Sequence, residues 1–414
     1  MKKILVRGPA LSRSGYGEQA RFALRALSAH QDAYDIYLIN TSWGATSWIT
    51  EDDEERRWID SLLQKTIAYA QAGGTYDISV QVTIPAEFER IAPYNVGYTA
   101  GIETTLMSAQ WLERTRVVDK IIVPSTHSKN VIETSSWNGM DQRTNQHFVL
   151  TCTRPVDAVA FPVKDIKPEK IDLDLSTDFN FLAVAQWGPR KNLDATIEWF
   201  LEEFKNNSDV GLVVKTQIAK NCLIDKRHSE IRLKKLLNKQ GEHKCKVYLL
   251  HGAMTEGEMT SLYQHDKIKA VVSTTHGEGF GLPLYEAAYN GLPVIATNWS
   301  AHKDFLYGPV KDKKTKKTKT KAMFLKVDYT LENIAPNAVW ENVIVPESKW
   351  AVPKKSSYKT NLNKIYSNYG SYKSIAKKLQ AHLKEEFSAS RQYKRFVDAL
   401  SVSDTTTDEI QIFT

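Results

Sequence analysis

Apolar runs of strand length alternate with segments of helical periodicity along most of the chain. In the first half, the strand candidates are Ile4–Val6, Ile36–Ile39, Ile78–Val82, Val96–Thr99 and Lys120–Pro124. In the second half, they are Phe179–Ala185, Val210–Lys215, Lys246–Leu250, Lys269–Ser273 and Val294–Ala296. Helical spacing separates several of these runs, as in Asn192–Phe204 and Glu256–Gln264. Such alternation is typical of α/β proteins, in which helices cover both faces of a parallel sheet.

A polar, charged stretch at residues 164–178 interrupts this alternation, which then starts again. With 414 residues, the chain is longer than a single hydrophobic core usually supports. We therefore predict a Rossmann-like domain over residues 1–165, a linker over 166–178, a second Rossmann-like domain over 179–375, and a C-terminal helix and tail over 376–414. Open α/β sheets bind ligands beyond the carboxyl ends of their strands, so a cleft where the two domains face each other is the expected site.

Two glutamates in the second domain, Glu278 and Glu286, lie eight positions apart and are separated by a glycine-rich turn. Pro283 suits the first turn of a helix, where its missing N–H has no cost. Gly291 suits the left-handed position that ends a helix. The turn and the helix N-terminus would direct backbone N–H groups toward the carboxyl edge of the sheet. The two carboxylates could then meet different parts of one ligand.

The segment GEGFGLPLYEAAYNGLPVIA resembles the glutamate–seven–glutamate motif of retaining GT-B glycosyltransferases of family 4, the glycosyl transferases group 1. The resemblance implies a GT-B fold whose C-terminal helix crosses back to the first domain. It implies that Glu278 is the catalytic candidate, positioned against the donor sugar, and that Glu286 binds the ribose. The adjacent donor-binding candidates are Gly279, Phe280, Gly281 and Leu282. The implied reaction moves a sugar from a nucleotide diphosphate sugar to an acceptor hydroxyl with retention, and it needs neither a metal nor a cofactor besides this co-substrate.

A glycine pair, Gly15 and Gly17, flanks Tyr16 where the first strand meets the first helix. Glycine at such a turn lets the backbone approach a phosphate closely. By itself, the same pattern serves helix packing equally well. The resembling family places a glycine-rich loop here against the donor diphosphate, so all three residues are donor-binding candidates.

Two cations, Arg190 and Lys191, follow the first strand of the second domain. Cations at the head of a helix are suited to clamp a diphosphate. In the resembling family, an arginine and a lysine share this role; Lys191 matches the lysine, but Gln186 occupies the arginine position. Arg190 is therefore a candidate substitute, and the alternative is a solvated surface residue.

The first-domain wall of the cleft supplies the acceptor-side candidates. Many family members have a histidine near the end of the strand at Val96–Thr99, and none is present here. Thr99 or Glu103 could take the neighbouring role by position, or the role is absent; Glu103 is equally suited to cap the next helix. Ser125 is better suited to cap a helix than to contact phosphate. Trp43 lies in a loop where it could stack on a sugar or a base, with ordinary packing as the alternative.

Charge is concentrated in one stretch. Lys311–Lys321 carries seven lysines and one aspartate, which accounts for most of the net charge of +7. This composition has no apolar face and predicts a mobile, solvated loop. It could follow a nucleic-acid backbone or an anionic membrane surface, or it could simply be solubilising.

The remaining composition, with 42% hydrophobic residues and three scattered cysteines, predicts a cytoplasmic protein without a transmembrane segment. The lysine stretch leaves room for a peripheral position at the membrane. The favoured acceptor is a glycan, surface polysaccharide or lipid-linked sugar. One alternative is transfer to a hydroxymethylated base in phage-type DNA, which would have to be exposed or flipped out. A second alternative, favoured by Gln186, is a non-catalytic protein that binds a nucleotide sugar or a glycan.

Overall fold

The structure, a computed structural model, describes residues 1–140, 143–311 and 317–401. In the first domain, six parallel strands form one sheet in the order β2-β1-β3-β4-β5-β8, and β6 pairs with β7 in an antiparallel hairpin. The strands are β1 (Lys2–Gly8), β2 (Tyr34–Asn40), β3 (Ile78–Val82), β4 (Tyr94–Tyr98), β5 (Lys120–Val123), β6 (Ser136–Met140), β7 (His147–Thr151) and β8 (Val156–Ala158). The helices are α1 (Gly15–Ser28), α2 (Glu54–Gln71), α3 (Ala109–Arg114) and α4 (Thr126–Thr134).

The second domain repeats this architecture with a parallel sheet in the order β11-β10-β9-β12-β13-β16 and two antiparallel hairpins, β14–β15 and β17–β18. Its strands are β9 (Phe179–Gln186), β10 (Val210–Gln217), β11 (Lys246–His251), β12 (Ile268–Ser273), β13 (Val294–Thr297), β14 (Tyr307–Lys311), β15 (Thr318–Ala322), β16 (Leu325–Val327), β17 (Tyr329–Asn333) and β18 (Lys349–Pro353). Its helices, with those that follow it, are α5 (Leu193–Phe204), α6 (Leu223–Gln240), α7 (Glu256–Gln264), α8 (Leu282–Tyr289), α9 (Lys303–Leu306), α10 (Lys355–Ser367), α11 (Tyr369–Glu386) and α12 (Ala389–Leu400). The predicted fold, two Rossmann-like α/β domains, is confirmed.

Local sequence signals explain where α8 begins and ends. Gly281 precedes it with φ of 97°, a left-handed conformation that favours glycine. Pro283 lies in its first turn, where the proline ring interrupts no hydrogen bond. Gly291 follows it with φ of 73° and closes the helix in the predicted way. The first turn of α8 therefore has a fixed position behind the glycine-rich turn that carries Glu278.

The connection between the domains contains no helix or strand over residues 159–178. Its beginning is nevertheless part of the core, because Val159 and Phe161 are buried. The Phe161 carbonyl accepts a 3.0 Å hydrogen bond from the Tyr285 hydroxyl of α8. The chain between β8 and residue 166, where the predicted linker starts, thus packs against the second domain through Phe161.

The last helix, α12, returns to the first domain and packs on α1, as the resemblance implied. The ring of Phe396 lies 5.4 Å from the ring of Phe22 in α1 and 5.4 Å from that of Tyr98 in β4. The predicted boundary between residues 375 and 376 falls within α11, because the helical pattern runs without interruption from Tyr369 to Glu386.

The lysine-rich stretch lies partly in a hairpin. β14 and β15 pair in antiparallel register, with Lys311 opposite Thr318 and Val310 opposite Lys319. Both ends of the predicted loop are strands, because their backbone N–H and C=O groups pair with each other. Their lysine side chains are exposed. The middle of the stretch, residues 312–316, lies outside the described residues.

Candidate active site in the interdomain cleft

The carboxyl ends of the two sheets border a cleft that holds a cavity of about 520 Å³. Its lining comes from both domains. The predicted site residues that line it are Gly15, Tyr16, Trp43, Glu103, Arg190, Lys191, Glu278, Gly279, Phe280, Gly281 and Leu282. Three others, Gly17, Thr99 and Glu286, lie outside this lining.

The turn after β12 carries Glu278, and hydrogen bonds with the segment that follows β13 hold this turn in place. The Glu278 amide donates to the Ser300 hydroxyl over 2.9 Å. The Glu278 carbonyl accepts from the Ala301 amide over 3.3 Å. The carboxylate is only 7% exposed, so its partners must come from the protein or a ligand in the cleft.

A short turn after β9 brings Arg190 and Lys191 to the same place. Pro189 begins a single 3₁₀ turn, and Asn192 ends it in a left-handed conformation with φ of 51°. The Asn192 side-chain amide donates to the Thr274 carbonyl over 3.1 Å, and the Arg190 carbonyl accepts from an amide in the Glu278 turn over 2.9 Å. The two turns are therefore joined through the backbone.

These turns form a compact group of charges. Lys191 Nζ lies 2.7 Å from each carboxylate oxygen of Glu278. Arg190 Nη1 donates to Glu278 Oε2 over 3.3 Å and to the Gly277 carbonyl over 2.6 Å. Arg190 Nη2 lies 2.8 Å from Glu103 Oε1 in the first domain. Arg190 is thus an ion-pair partner that bridges the domains, and the alternative of a solvated surface residue is wrong.

The group sets the charge state of its carboxyls. Burial by itself would raise the pKa of Glu278, but Lys191 and Arg190 lower it to about 2, so this carboxylate is ionised at neutral pH. For Glu103, burial raises the pKa above its ordinary value, against the opposing charge of Arg190. Glu278 is therefore a permanent hydrogen-bond acceptor rather than a proton donor.

The Glu278 turn also touches the first domain closely. A Cβ atom on Gly279 would lie 1.8 Å from the Ala100 carbonyl oxygen, and one on Gly277 would lie 2.1 Å from the Glu103 carbonyl oxygen. The Ser125 hydroxyl donates to the Gly279 carbonyl over 2.9 Å. These glycines allow a backbone contact between the domains that any side chain would prevent.

Glu286 occupies a separate recess of about 80 Å³, which shares Met254 and Met259 with the main cleft. The Tyr263 hydroxyl donates to Glu286 Oε2 over 3.0 Å. Burial raises the pKa of Glu286 to about 7, although the nearby charge of Lys164 opposes this shift. The two motif glutamates therefore line two neighbouring cavities that share Met254 and Met259.

Part of the chain is similar to known protein families. Residues 165–307 match the sequence model of the family described as Glycosyl transferases group 1. A segment of 116 residues is 32% identical to the serotype-specific mannosyltransferase WbdA of Escherichia coli; it covers 28% of this chain and 13% of that protein. The chain thus spans a small part of that relative's length.

Solved structures extend the likeness over the whole chain. Sucrose-phosphate synthase of Thermosynechococcus elongatus superimposes with a TM-score of 0.61 at 11% identity, over 96% of this chain and 98% of that one. HepE of Anabaena in complex with UDP-glucose superimposes with a TM-score of 0.58 at 12% identity, over 97% and 99%. The fold is GT-B. The family match and this fold together support a GT-B glycosyltransferase.

Within the GT-B cleft, Gly17 does not have its predicted place against a phosphate. Its amide donates to the Ser14 side chain that caps α1, over 3.0 Å. A Cβ at Gly17 would lie 2.0 Å from the Ser12 carbonyl oxygen, so this glycine serves the packing alternative. Gly15, by contrast, has no atom within 4 Å of such a Cβ and borders open space.

The tyrosine between these glycines organises the first-domain wall. Its hydroxyl accepts hydrogen bonds from the Ala100 and Gly101 amides, over 3.1 and 3.0 Å, and also pairs with the Thr99 hydroxyl. Thr99 is fully buried by this contact, so the prediction that it faces the acceptor is wrong. Trp43 stacks on Tyr16 with ring centres 4.0 Å apart and still lines the cleft, so it both packs and borders the site.

Two further predictions about this wall are settled by geometry. Glu103 caps no helix, because Ser108 caps α3 and Glu103 turns toward Arg190 instead. Ser125 caps α4, as predicted, by accepting from the Ser128 amide.

The Phe280 side chain is only 4% exposed and packs among aromatic rings that include Phe305, so it stabilises the Glu278 turn through these contacts.

Sequence reasoning missed two cations that line the cleft, Arg13 and Lys215. Arg13 forms an ion pair with Glu51 and donates to the Met254 carbonyl over 3.1 Å. Lys215 lies near the carboxyl end of β10, where a lysine ending an otherwise apolar strand was the available signal. Gln186 donates to the Ile218 carbonyl over 2.8 Å.

No group of three or more His, Cys, Asp or Glu side chains has the arrangement of a metal site in the described ranges. No helix in the part of the chain that the structure describes is both long and apolar enough to cross a bilayer.

Proposed function

We propose that this protein is a retaining glycosyltransferase that moves a sugar from a nucleotide diphosphate sugar to a hydroxyl of an acceptor glycan. The observation that carries the proposal is the contact of Lys191 with both oxygens of Glu278 in the cleft, over 2.7 Å, beside the N-terminus of α8. A carboxylate and a cation at this point suit the two halves of the donor, the polar sugar and its anionic diphosphate. The family match over residues 165–307 also supports a glycosyltransferase.

In the proposed reaction, the acceptor oxygen forms a bond to the anomeric carbon. The bond between that carbon and the diphosphate oxygen breaks, and its electron pair leaves with the diphosphate. The acceptor's proton passes to the leaving phosphate oxygen on the same face of the sugar. Stabilising the negative charge on the leaving group is the main requirement for the protein.

Each site residue has a defined part in this proposal. Glu278 accepts hydrogen bonds from donor-sugar hydroxyls and orients the ring, for which its pKa of about 2 suits it. Lys191 and the amides of Gly281 and Leu282 stabilise the negative charge of the diphosphate, since a helix N-terminus favours anions. Glu286 holds the ribose in its recess, and closure of the domains excludes water.

A glycan is the acceptor that the first-domain wall supports best. Trp43 and Tyr16 present a stacked aromatic pair to the cleft, and aromatic faces pack well against sugar rings. The likeness to a mannosyltransferase makes mannose the first donor sugar to test, and the likeness to a protein with bound UDP-glucose makes glucose the second.

The test is a donor and acceptor screen with the full chain. UDP, GDP and ADP esters of mannose and glucose would be incubated with oligosaccharides, lipid-linked sugars or hydroxymethylated DNA, and the release of nucleoside diphosphate would be measured. We expect one donor to be turned over, faster with a glycan acceptor than without. NMR of the product should show the same anomeric configuration as the donor.

The Glu278→Gln variant serves as the control, because it keeps the shape of the side chain and removes its charge. An inverted product would overturn the retaining mechanism. Acceleration by DNA alone would replace the glycan with a nucleic-acid acceptor. Binding of donors with no transfer to any acceptor would favour a binding protein.

A further inference from the structure

Lys215 is a cleft lysine with no carboxylate partner among the described residues. Its ammonium donates to the Gly252 carbonyl, and no Asp or Glu oxygen within the described ranges lies within 4.0 Å of it. The side chain is partly buried and lines the main cavity. A lysine withdrawn from water without a carboxylate in direct contact is unfavourable, so an anion from outside the protein would stabilise it.

The strand register puts Lys215 on the strand adjacent to Gln186, which occupies the position where the resembling family has an arginine. In the pairing of β10 with β9, Lys215 lies opposite Val184 and Gln217 lies opposite Gln186. Residues two apart on a strand share a face, so Lys215 is on the same face as Gln217 and lies diagonally across from Gln186. A positive charge lost at Gln186 can therefore be supplied from the neighbouring strand.

The other cations of the cleft are engaged by carboxylates. Lys191 contacts Glu278, and Arg190 contacts both Glu278 and Glu103. Arg13 contacts Glu51. Among the described cleft residues, Lys215 is thus the cation that no described Asp or Glu side chain contacts directly.

We propose that Lys215 binds the diphosphate of the nucleotide sugar. It would take over the role of the arginine whose position Gln186 occupies in this chain. This inference rests on the proposed function. Arg190 keeps a different task, since its contacts with Glu103 and Glu278 tie the two domains together at the Glu278 turn. The diphosphate is then held from two strands of the second domain, by Lys191 after β9 and by Lys215 on β10.

Calorimetric titration of the full chain distinguishes a diphosphate contact from a contact with the base. The ligands are uridine, guanosine and adenosine, each with its monophosphate and diphosphate, and inorganic pyrophosphate. The variants are Lys215→Met, which removes the charge, and Lys215→Arg, which keeps it. Lys234→Met is the matched control, because Lys234 lies exposed on α6 outside the cleft.

For Lys215→Met, we expect nucleoside diphosphate binding to weaken about 10- to 100-fold, the usual effect of losing a hydrogen bond to a charged group. Nucleoside binding should be unchanged. Lys215→Arg should lose less than about tenfold, and Lys234→Met should match the wild type. In transfer assays, the same loss should appear in KM for the donor more than in kcat.

Two outcomes would overturn the inference. One is undiminished diphosphate binding by Lys215→Met. The other is an equal loss for nucleoside and nucleoside diphosphate with an unchanged thermal unfolding curve, which would assign Lys215 to the base. Failure of the wild-type chain to bind any nucleoside diphosphate would instead refute the proposed function itself.

Discussion

Two lysines line the same cleft in this protein, but they differ in what they contact. Lys191 touches both oxygens of Glu278, whereas Lys215 touches a backbone carbonyl. Lys191 comes from a turn that is fixed by Asn192, and Lys215 comes from a strand. The first lysine therefore contributes to a closed group of charges, and the second offers a charge that no described carboxylate contacts directly.

The contrast shows that charge alone does not define a binding residue. A buried ion pair is held together by its own partners, and removing one partner leaves the other uncompensated. A ligand must compete with Glu278 for Lys191, whereas it competes with a neutral carbonyl for Lys215. The two lysines should consequently respond differently to substitution and to pH.

The strongest way to break the comparison is to remove the carboxylate that occupies Lys191. Glu278→Gln should lower kcat for transfer by about 100- to 1,000-fold, the usual effect of losing one preorganised electrostatic contact. It should also destabilise the fold by about 3 kcal/mol, because Lys191 and Arg190 lose a buried partner. Steady-state kinetics and thermal unfolding measure these effects. Transfer at a near wild-type rate would remove Glu278 from the site.

A second change tests the backbone contact behind Glu278. In Gly279→Ala, the added methyl group would meet the Ala100 carbonyl oxygen at 1.8 Å, so the two walls must separate. We expect transfer to fall by about 100-fold, the scale seen for a displacement of about 1 Å in a site. Gly188→Ala is the matched control, since a Cβ there has no atom within 4 Å. Equal activity of the two variants would contradict a role for this contact.

The interdomain tie can be weakened without touching either lysine. Glu103→Gln removes the charge that faces Arg190 over 2.8 Å. We expect kcat/KM to fall by about tenfold, in line with one hydrogen bond to a charged group. Glu113→Gln, at an exposed position of α3, should have no effect. A loss confined to thermal stability would make the tie structural only.

The smallest expected effect concerns pH. Burial lowers the pKa of Lys215 to about 8; the nearby charge of Arg13 acts in the same direction and that of Glu258 opposes it. The protonated form binds the diphosphate, so affinity should be full below this pKa and fall severalfold as the pH rises through it. Titrations with nucleoside diphosphate at a series of pH values measure the change. Lys215→Arg should flatten the profile, because arginine stays charged; an identical profile would assign the titration to another group.

Glu286 must be separated from this effect. Burial raises its pKa to about 7, so it gains its charge as the pH rises through neutrality, before Lys215 loses its own. Titration of the nucleoside alone reports the Glu286 recess, and the difference between diphosphate and nucleoside reports Lys215.

Much of this architecture was predictable because it depends on neighbours in sequence. The helix start at Pro283, its end at Gly291 and the cap at Ser125 follow from backbone chemistry within a few residues. The ion pair between Glu103 and Arg190 was not predictable, since it forms across two domains. Local patterns set strands and helices but not how two sheets face each other.

Two glycines of one turn illustrate the same limit. Gly15 and Gly17 share one local pattern, yet Gly15 borders open space and Gly17 presses against the Ser12 carbonyl. Only the path of the preceding loop separates a ligand contact from a packing contact. Lys215 was overlooked for a similar reason, because a lysine at the end of a strand acquires meaning only from what surrounds its ammonium.

The return of α12 to the first domain has a consequence for synthesis on the ribosome. Phe22 in α1 is completely buried, and its ring meets Phe396 and Tyr393 of α12. Chains grow at about 5–20 residues per second, so the apolar face of α1 waits roughly tens of seconds for the helix that covers it. The domain made first is thus finished last. A nascent chain that stalls before α12 would keep that face in water, where chaperones and other nascent chains can bind it.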